Sequence, residues 1–188
     1  MSAILLTPPA SEPLSLAEAK AWLRVEHDDD DDVITALIAA ARLHVEALTR
    51  RALITQSWRL VLDGWPVTGR IDMTPAPLRT LNAARVYDAG GVTHSVDTQA
   101  FVVDPAGAAL SFAPWSVAQP GRVAAGIELD VTAGYGDAED VPEPLRQAIR
   151  LLLAHWYENR GLVTSGPNVA ALPATAAALL APYRAVSL

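Results

Sequence analysis

The sequence predicts an α+β chain: a mainly helical bundle formed by N- and C-terminal helices, with a β-rich insertion in the middle. Three observations predict it. Apolar residues recur at helical spacing over residues 16–48 and again over 145–156. Between them that period gives way to two-residue alternation punctuated by Pro and Gly. Neither helical end carries enough apolar surface to bury its stripe alone, so the two are expected to cover each other. The division that follows is 1–53 for the N-terminal helical part, 54–140 for the insertion, and 141–188 for the C-terminal helices and tail.

Each element has a local reason. Ser15-Leu16-Ala17-Glu18 is a capping box, in which the Ser hydroxyl and the Glu carboxylate each satisfy an orphan amide of a first helical turn. The helix it opens carries Leu16, Ala19, Trp22 and Leu23 on one side and should end near Val25, with Trp22 in the core. Asp28, Asp29, Asp30, Asp31 and Asp32 then precede a second helix of about 18 residues, with Val33, Ile34, Leu37, Ile38, Ala41, Val45 and Leu48 as its stripe. The macrodipole favours the carboxylates at its start and Arg50-Arg51 at its end.

In the insertion, Trp58, Leu60 and Leu62 alternate with Arg59, Val61 and Asp63 until Gly64-Trp65-Pro66 stops the strand. Ala84–Tyr87 and Val92–Val96 flank Asp88-Ala89-Gly90-Gly91, a hairpin signature. Short strands follow at Ala100–Val103, Leu110–Phe112 and Ile127–Val131. Helix returns at Val141-Pro142-Glu143-Pro144, since proline is tolerated in a first turn. Leu145, Ile149, Leu152, Leu153 and Trp156 form its apolar face, and Gly161 suits a C-cap. Thr164–Asn168 reads as a loop, Ala174–Ala181 as a last helix stopped by Pro182, and Tyr183–Leu188 as a tail.

Composition excludes several classes. The chain has 188 residues, 51% hydrophobic and 19% charged, with net charge -7 and no cysteine; its mean hydropathy is +0.22. That apolar content is too high for an intrinsically disordered chain. Without cysteine there is no disulfide scaffold and no thiolate metal site. No apolar run approaches the roughly 18 residues of a membrane span. Met1–Pro13 has no basic residue ahead of Ile4-Leu5-Leu6, so no secretory leader is expected, and the reading is a soluble intracellular product. Among 14 basic residues only Lys20 is a lysine, and acid is in surplus. Such a balance disfavours gripping DNA by its phosphates, yet suits a surface past which DNA slides without sticking.

No catalytic, cofactor or metal site is expected. An EF-hand loop from Asp28 would need Gly and Glu where Val33 and Ala39 stand, so the acidic run reads as a solvated helix-capping turn. His27, His44, His94 and His155 form no H-E-x-x-H, and His155 with Glu158 lacks the further ligands of a di-iron site. There is no G-x-S-x-G elbow, and Thr164-Ser165-Gly166 has no identifiable base. Gly134-Tyr135-Gly136 lacks the last glycine of a dinucleotide fingerprint and reads as a strand-to-helix turn. Trp65 and Trp115 lie beside prolines in turns, either as interface anchors or as local loop plugs. The segment Leu179-Leu180-Ala181-Pro182-Tyr183-Arg184 either packs on the bundle or docks on a partner.

Four landmarks in order resemble the bacteriophage head–tail connector (adaptor) family. The first is Leu14–Lys20, the acidic turn, and the helix Val33–Arg51 running into Thr55-Gln56-Ser57-Trp58. The second is Gly134-Tyr135-Gly136 followed by Val141–Ile149. The third and fourth are His155-Trp156-Tyr157-Glu158-Asn159-Arg160 and Leu179–Arg184. The composition also suits the adaptor of a gene transfer agent, a phage-derived particle.

The resemblance implies a non-enzymatic subunit of a homo-oligomeric ring, in the neck of a virion or phage-like particle assembled in the bacterial cytoplasm. It implies a ring matching the portal's twelvefold symmetry, between the portal protein and a tail-side connector or terminator, with DNA passing through without specific binding and no membrane contact. Portal contact falls to Leu179, Leu180, Tyr183 and Arg184, which makes residues beyond the last helix a portal-docking tail. Trp65 and Trp115 are expected at a subunit or tail interface, and Arg42 either pairs with a neighbour's carboxylates or lies on a solvated helix face. An acidic lumen repels the DNA backbone, so either Asp28–Asp32 or Asp137, Glu139 and Asp140 should line the channel or a rim. Two other functions stay open: a tail terminator or head-completion protein, and a small ligand-binding module or enzyme with its pocket in the β-rich middle.

Overall fold

A computed structural model describes residues 1–105, 108–159 and 173–184. The chain divides into a β unit, Met1–Ala10 with Thr55–Tyr135, and a helical unit, Ser11–Ile54 with Gly136–Leu188. Thr164–Ser165–Gly166, the Gly161 cap and the chain after Arg184 lie outside the described residues.

In the β unit a five-stranded antiparallel sheet has the order β1 (Ser2–Thr7), β2 (Gln56–Leu62), β8 (Ile127–Ala133), β4 (Leu78–Tyr87), β5 (Thr93–Val96). A second sheet orders β3 (Arg70–Asp72), β7 (Ala109–Phe112) and β6 (Phe101–Asp104). Central β8 alternates strictly, with Ile127, Leu129, Val131 and Ala133 buried and Glu128, Asp130 and Thr132 turned outward. Its register sets Leu129 between Leu60 and Ala84, and Ile127 between Leu62 and Val86. These residues join Ile71, Phe101, Leu110 and Phe112 in one core. The predicted hairpin forms between β4 and β5, closed by Asp88 N–H to Val92 O at 3.0 Å.

The helical unit holds α1 (Leu16–Leu23), α2 (Asp31–Thr49), α3 (Glu143–Glu158) and α4 (Ala174–Leu180). α1 packs on α2 and α3, and α4 packs on α3 and α2. Ile34, Ile38, Ala41 and Val45 of α2 meet a core that includes Leu145, Ala148, Ile149, Leu152 and Leu153 of α3. The capping box is present: Glu18 N–H donates to Ser15 Oγ at 3.2 Å and Ser15 N–H to Glu18 Oε2 at 2.8 Å. α1 stops at Leu23 because Arg24 takes a left-handed backbone, φ 58.

The expectation of a mainly helical bundle is overturned, since the described residues are 37% helical against 29% strand, with two antiparallel sheets. Periodicity undercounted the strands. Ser2–Thr7 is an apolar run without alternation, Arg70–Asp72 is too short to show a period, and β4 begins six residues before the predicted Ala84. Two β-bulges in β4 shift its register and erase the two-residue pattern. Trp22 is also corrected: it is 43% exposed rather than core. α1 has only eight residues, and Ala19 alone among them is buried.

Candidate assembly surfaces

The C-terminal segment is held to its own helical unit. Ala176 and Leu180 are fully buried, while Leu179 and Tyr183 are half-buried and Arg184 is exposed. Arg51 donates from Nε to the Tyr183 carbonyl at 3.0 Å, and its guanidinium lies 5.7 Å from the Tyr183 ring centre. Of the two readings of this segment, packing on the bundle describes Leu180. Tyr183 and Arg184 remain presented.

Arg42 is covered rather than solvated, and its guanidinium is paired within its own unit. It is 8% exposed, donating from Nε to Glu12 at 2.7 Å and from Nη1 to Glu46 at 2.8 Å. Burial disfavours its charge, but the hydrogen bond to Glu12 and the charges of Glu46 and Glu12 outweigh that and raise its pKa. The solvated-face reading fails because Glu12, 30 residues away, comes back to cover the guanidinium, a contact that no local spacing announces.

The acidic turn is unevenly committed. Lys20 Nζ bonds Asp28 at 2.6 Å and Asp31 at 2.7 Å, which lowers the Asp28 pKa and raises that of Lys20. Asp30 accepts from the Tyr157 hydroxyl at 2.5 Å. Asp29 and Asp32 stay exposed. Asp137 and Asp140 cap a short 3-10 turn, and they and Glu139 face solvent. Gly136 beside them has φ +145, a backbone that L side chains rarely adopt, and a Cβ there would also crowd the Asp140 side chain.

The two turn tryptophans part company. Trp65 packs against Phe101 and Phe112 at ring distances of 5.6 and 5.1 Å and donates from Nε1 to Ala118 O at 2.8 Å. It is a loop plug. Trp115 is 88% exposed. The loops carrying the two are pinned together, with Phe112 N–H donating to Gly69 O at 2.8 Å and Ala125 N–H to Asp63 Oδ1 at 2.8 Å. The sequence lacked any signal for the half of this region that tethers the display of Trp115.

On the outer face of the sheet, Arg59 forks onto Asp130 at 2.7 and 3.0 Å, and Arg85 reaches the same carboxylate at 2.7 Å. The Arg59 hydrogen bond is the main reason that the Asp130 carboxyl is held below the usual range; Arg85 adds to it, and burial opposes it. Sequence reasoning missed this cluster because its members come from three strands.

An open depression of about 400 Å³ in the helical unit is bordered by Glu12, Leu14, Ser15, Glu18, Thr35 and Ile38. Its carboxylates are engaged, Glu12 by Arg42 and Glu18 by the cap and by Arg146 at 2.7 Å. Among the described residues no group of three or more His, Cys, Asp or Glu is placed to hold a metal ion, and no helix is long and apolar enough to cross a membrane.

Residues 13–79 match the family described as phage gp6-like head-tail connector protein. Among curated proteins none matches. Three solved structures are similar over 100% of this chain and 97% of theirs, each at 28% identity. They are a chain of the neck of an empty gene transfer agent particle computed with C6 symmetry, TM-score 0.83; one of the virion of a native gene transfer agent particle, 0.75; and one of the neck of a native particle computed with C12 symmetry, 0.73. The family pattern over residues 13–79 and the whole-chain fold point the same way: this chain is similar to head–tail connector proteins and to chains of gene transfer agent particles.

Proposed function

We propose that this protein is the adaptor subunit of a phage-like particle neck, closing into a homo-oligomeric ring between the portal and a tail-side connector or terminator. The observation that carries the reading is the similarity along the whole chain to proteins in gene transfer agent necks, one of them computed with C12 symmetry. A twelvefold ring would match a twelvefold portal. Ring closure requires two different complementary faces on each subunit. In this reading assembly takes place in the bacterial cytoplasm, and DNA passes through the ring without specific binding.

The division of labour follows from exposure. Tyr183 and Arg184, with Leu179 beside them, offer the portal an aromatic ring, a cation and an apolar side chain, while Leu180 anchors the segment. Trp115 supplies an aromatic anchor for a neighbouring subunit or tail component. Asp29, Asp32, Asp137 and Glu139 keep solvent-facing charge for a channel or rim. Repulsion of DNA there acts over roughly 8 Å at physiological salt.

Copurification with a portal ring tests the reading. Wild-type protein is expected to bind it, and Tyr183→Ala with Arg184→Glu to lose binding with the circular dichroism spectrum unchanged. Binding to a tail tube and not to the portal would replace the adaptor with a tail terminator.

A further inference from the structure

The five-stranded sheet ends in two uncovered edges, β1 and β5. Edge strands normally carry protection, such as a charge, a proline, or very short length. β1 has none of these. It is six residues long, Ser-Ala-Ile-Leu-Leu-Thr, and every residue is exposed. Ile4, Leu5 and Leu6 are 50%, 42% and 44% accessible. Its one irregularity is a register shift between Leu5 and Thr7. A lone β1 of this kind would invite uncontrolled pairing.

The opposite edge offers a partner of the right kind. β5 is four residues long, and Thr93, His94 and Ser95 are exposed. From β1 to β5 the sheet makes four antiparallel steps, so the two edge strands run in the same direction. Neighbouring copies in a twelvefold ring differ by a turn of only about 30°, so the β1 of one would run parallel, to within that angle, to the β5 it meets. Edge-on-edge pairing joins two different surfaces, which is the heterologous contact that closes rings; β1 against β1 would join identical surfaces and stop at a dimer.

We propose that β1 of one copy pairs in parallel with β5 of the adjacent copy, so that the sheet runs on from subunit to subunit. The inference rests on the ring reading above and names the surface that makes the ring. A second copy is the occupant because the same sheet carries both halves of the joint, and because similar neck proteins occur in assemblies computed with cyclic symmetry.

The cysteine-free chain makes the test clean. Register puts Ile4 opposite Arg59 and Ser95 opposite Arg85, and both arginines bind Asp130, so Ile4 and Ser95 share one face. Within a chain they are four strand spacings apart, about 19 Å, beyond the ~7 Å reach of a disulfide. Ile4→Cys with Ser95→Cys in one chain, assembled and oxidised, should give a ladder of cross-linked species up to ring size. Each single variant should stay monomeric on the same gel. A short bis-maleimide run in parallel captures a register offset of a residue or two.

Rings seen by electron microscopy with no ladder under either reagent would overturn the edge pairing and leave the connector reading standing. Dimers from Ile4→Cys alone would overturn it in favour of a two-fold joint. Absence of rings both in solution and in particles would overturn the ring reading and this inference together.

Discussion

In the helical unit each helix makes its own backbone hydrogen bonds and needs its neighbours only to cover an apolar stripe. In the β unit, β8 has no pairing of its own, and its partners lie in residues 56–62 and 78–87. Charge follows the same split. The helical unit spends ion pairs on pinning connecting segments to helices, as Arg42 does with Glu12 and Arg146 with Glu18 and the Pro13 carbonyl. The β unit spends them laterally, across strands, in the Arg59–Asp130–Arg85 cluster.

The two turn tryptophans give the widest expected contrast. Trp65→Ala removes an indole stacked on Phe101 and Phe112 and should cost about 3 kcal/mol. Trp115→Ala removes a side chain that is 88% exposed and should stay within about 0.5 kcal/mol of wild type in urea denaturation. If Trp115 anchors an interface, its loss should instead appear in ring assembly. Equal destabilisation by both would mean that Trp115 is also part of the fold.

In the helical unit the comparable change is electrostatic. Arg42→Ala leaves Glu12 and Glu46 facing each other without their cation and should cost about 3 kcal/mol. A double-mutant cycle with Glu12→Ala isolates the pair. A loss below about 1 kcal/mol would show that water replaces the guanidinium, as at exposed pairs.

The same split governs what the residues reveal before folding. Ser15 and Glu18 announce a helix start, and the stripes of α2 and α3 announce a buried face, because each signal lies within a few residues. Asp88–Gly91 announces a hairpin for the same reason. β1 is unreadable because its burial pattern has no period: it is an edge, and exposed throughout. Arg42 misleads because a solvated and a covered arginine look alike until a distant carboxylate arrives. Trp65 and Trp115 look alike in the sequence, both beside a proline and open to either reading; what separates them is Phe101 and Phe112, which cover Trp65 alone, and a loop pinned through Gly69 and Asp63, far earlier in the chain.

The lateral cluster of the β unit predicts a dependence on acid. Arg59, then Arg85, depress the Asp130 pKa, so the stabilisation is fully present above the unfolded carboxylate value of about 3.9. It is lost as pH falls below that value and through the folded one. Asp130→Asn should cost about 2 kcal/mol at neutral pH. Across the acid window its stability should then fall less steeply than that of wild type. Parallel acid curves for the two proteins would remove Asp130 from the account and leave Glu18, Asp28 and Asp88, whose pKa values are also lowered.

The smallest effect tests the most local signal. Ser15→Ala removes the acceptor for the Glu18 amide and should cost about 1 kcal/mol. Asp30, at the start of α2, makes no side-chain cap bond, and its carboxylate accepts instead from Tyr157. Asp30→Asn keeps a carbonyl for Tyr157, so it should cost less than Ser15→Ala, although α2 is more than twice as long as α1. If the order reverses, the dipole at the head of α2 outweighs a hydrogen-bonded cap, and the acidic turn is holding the helix as well as facing solvent.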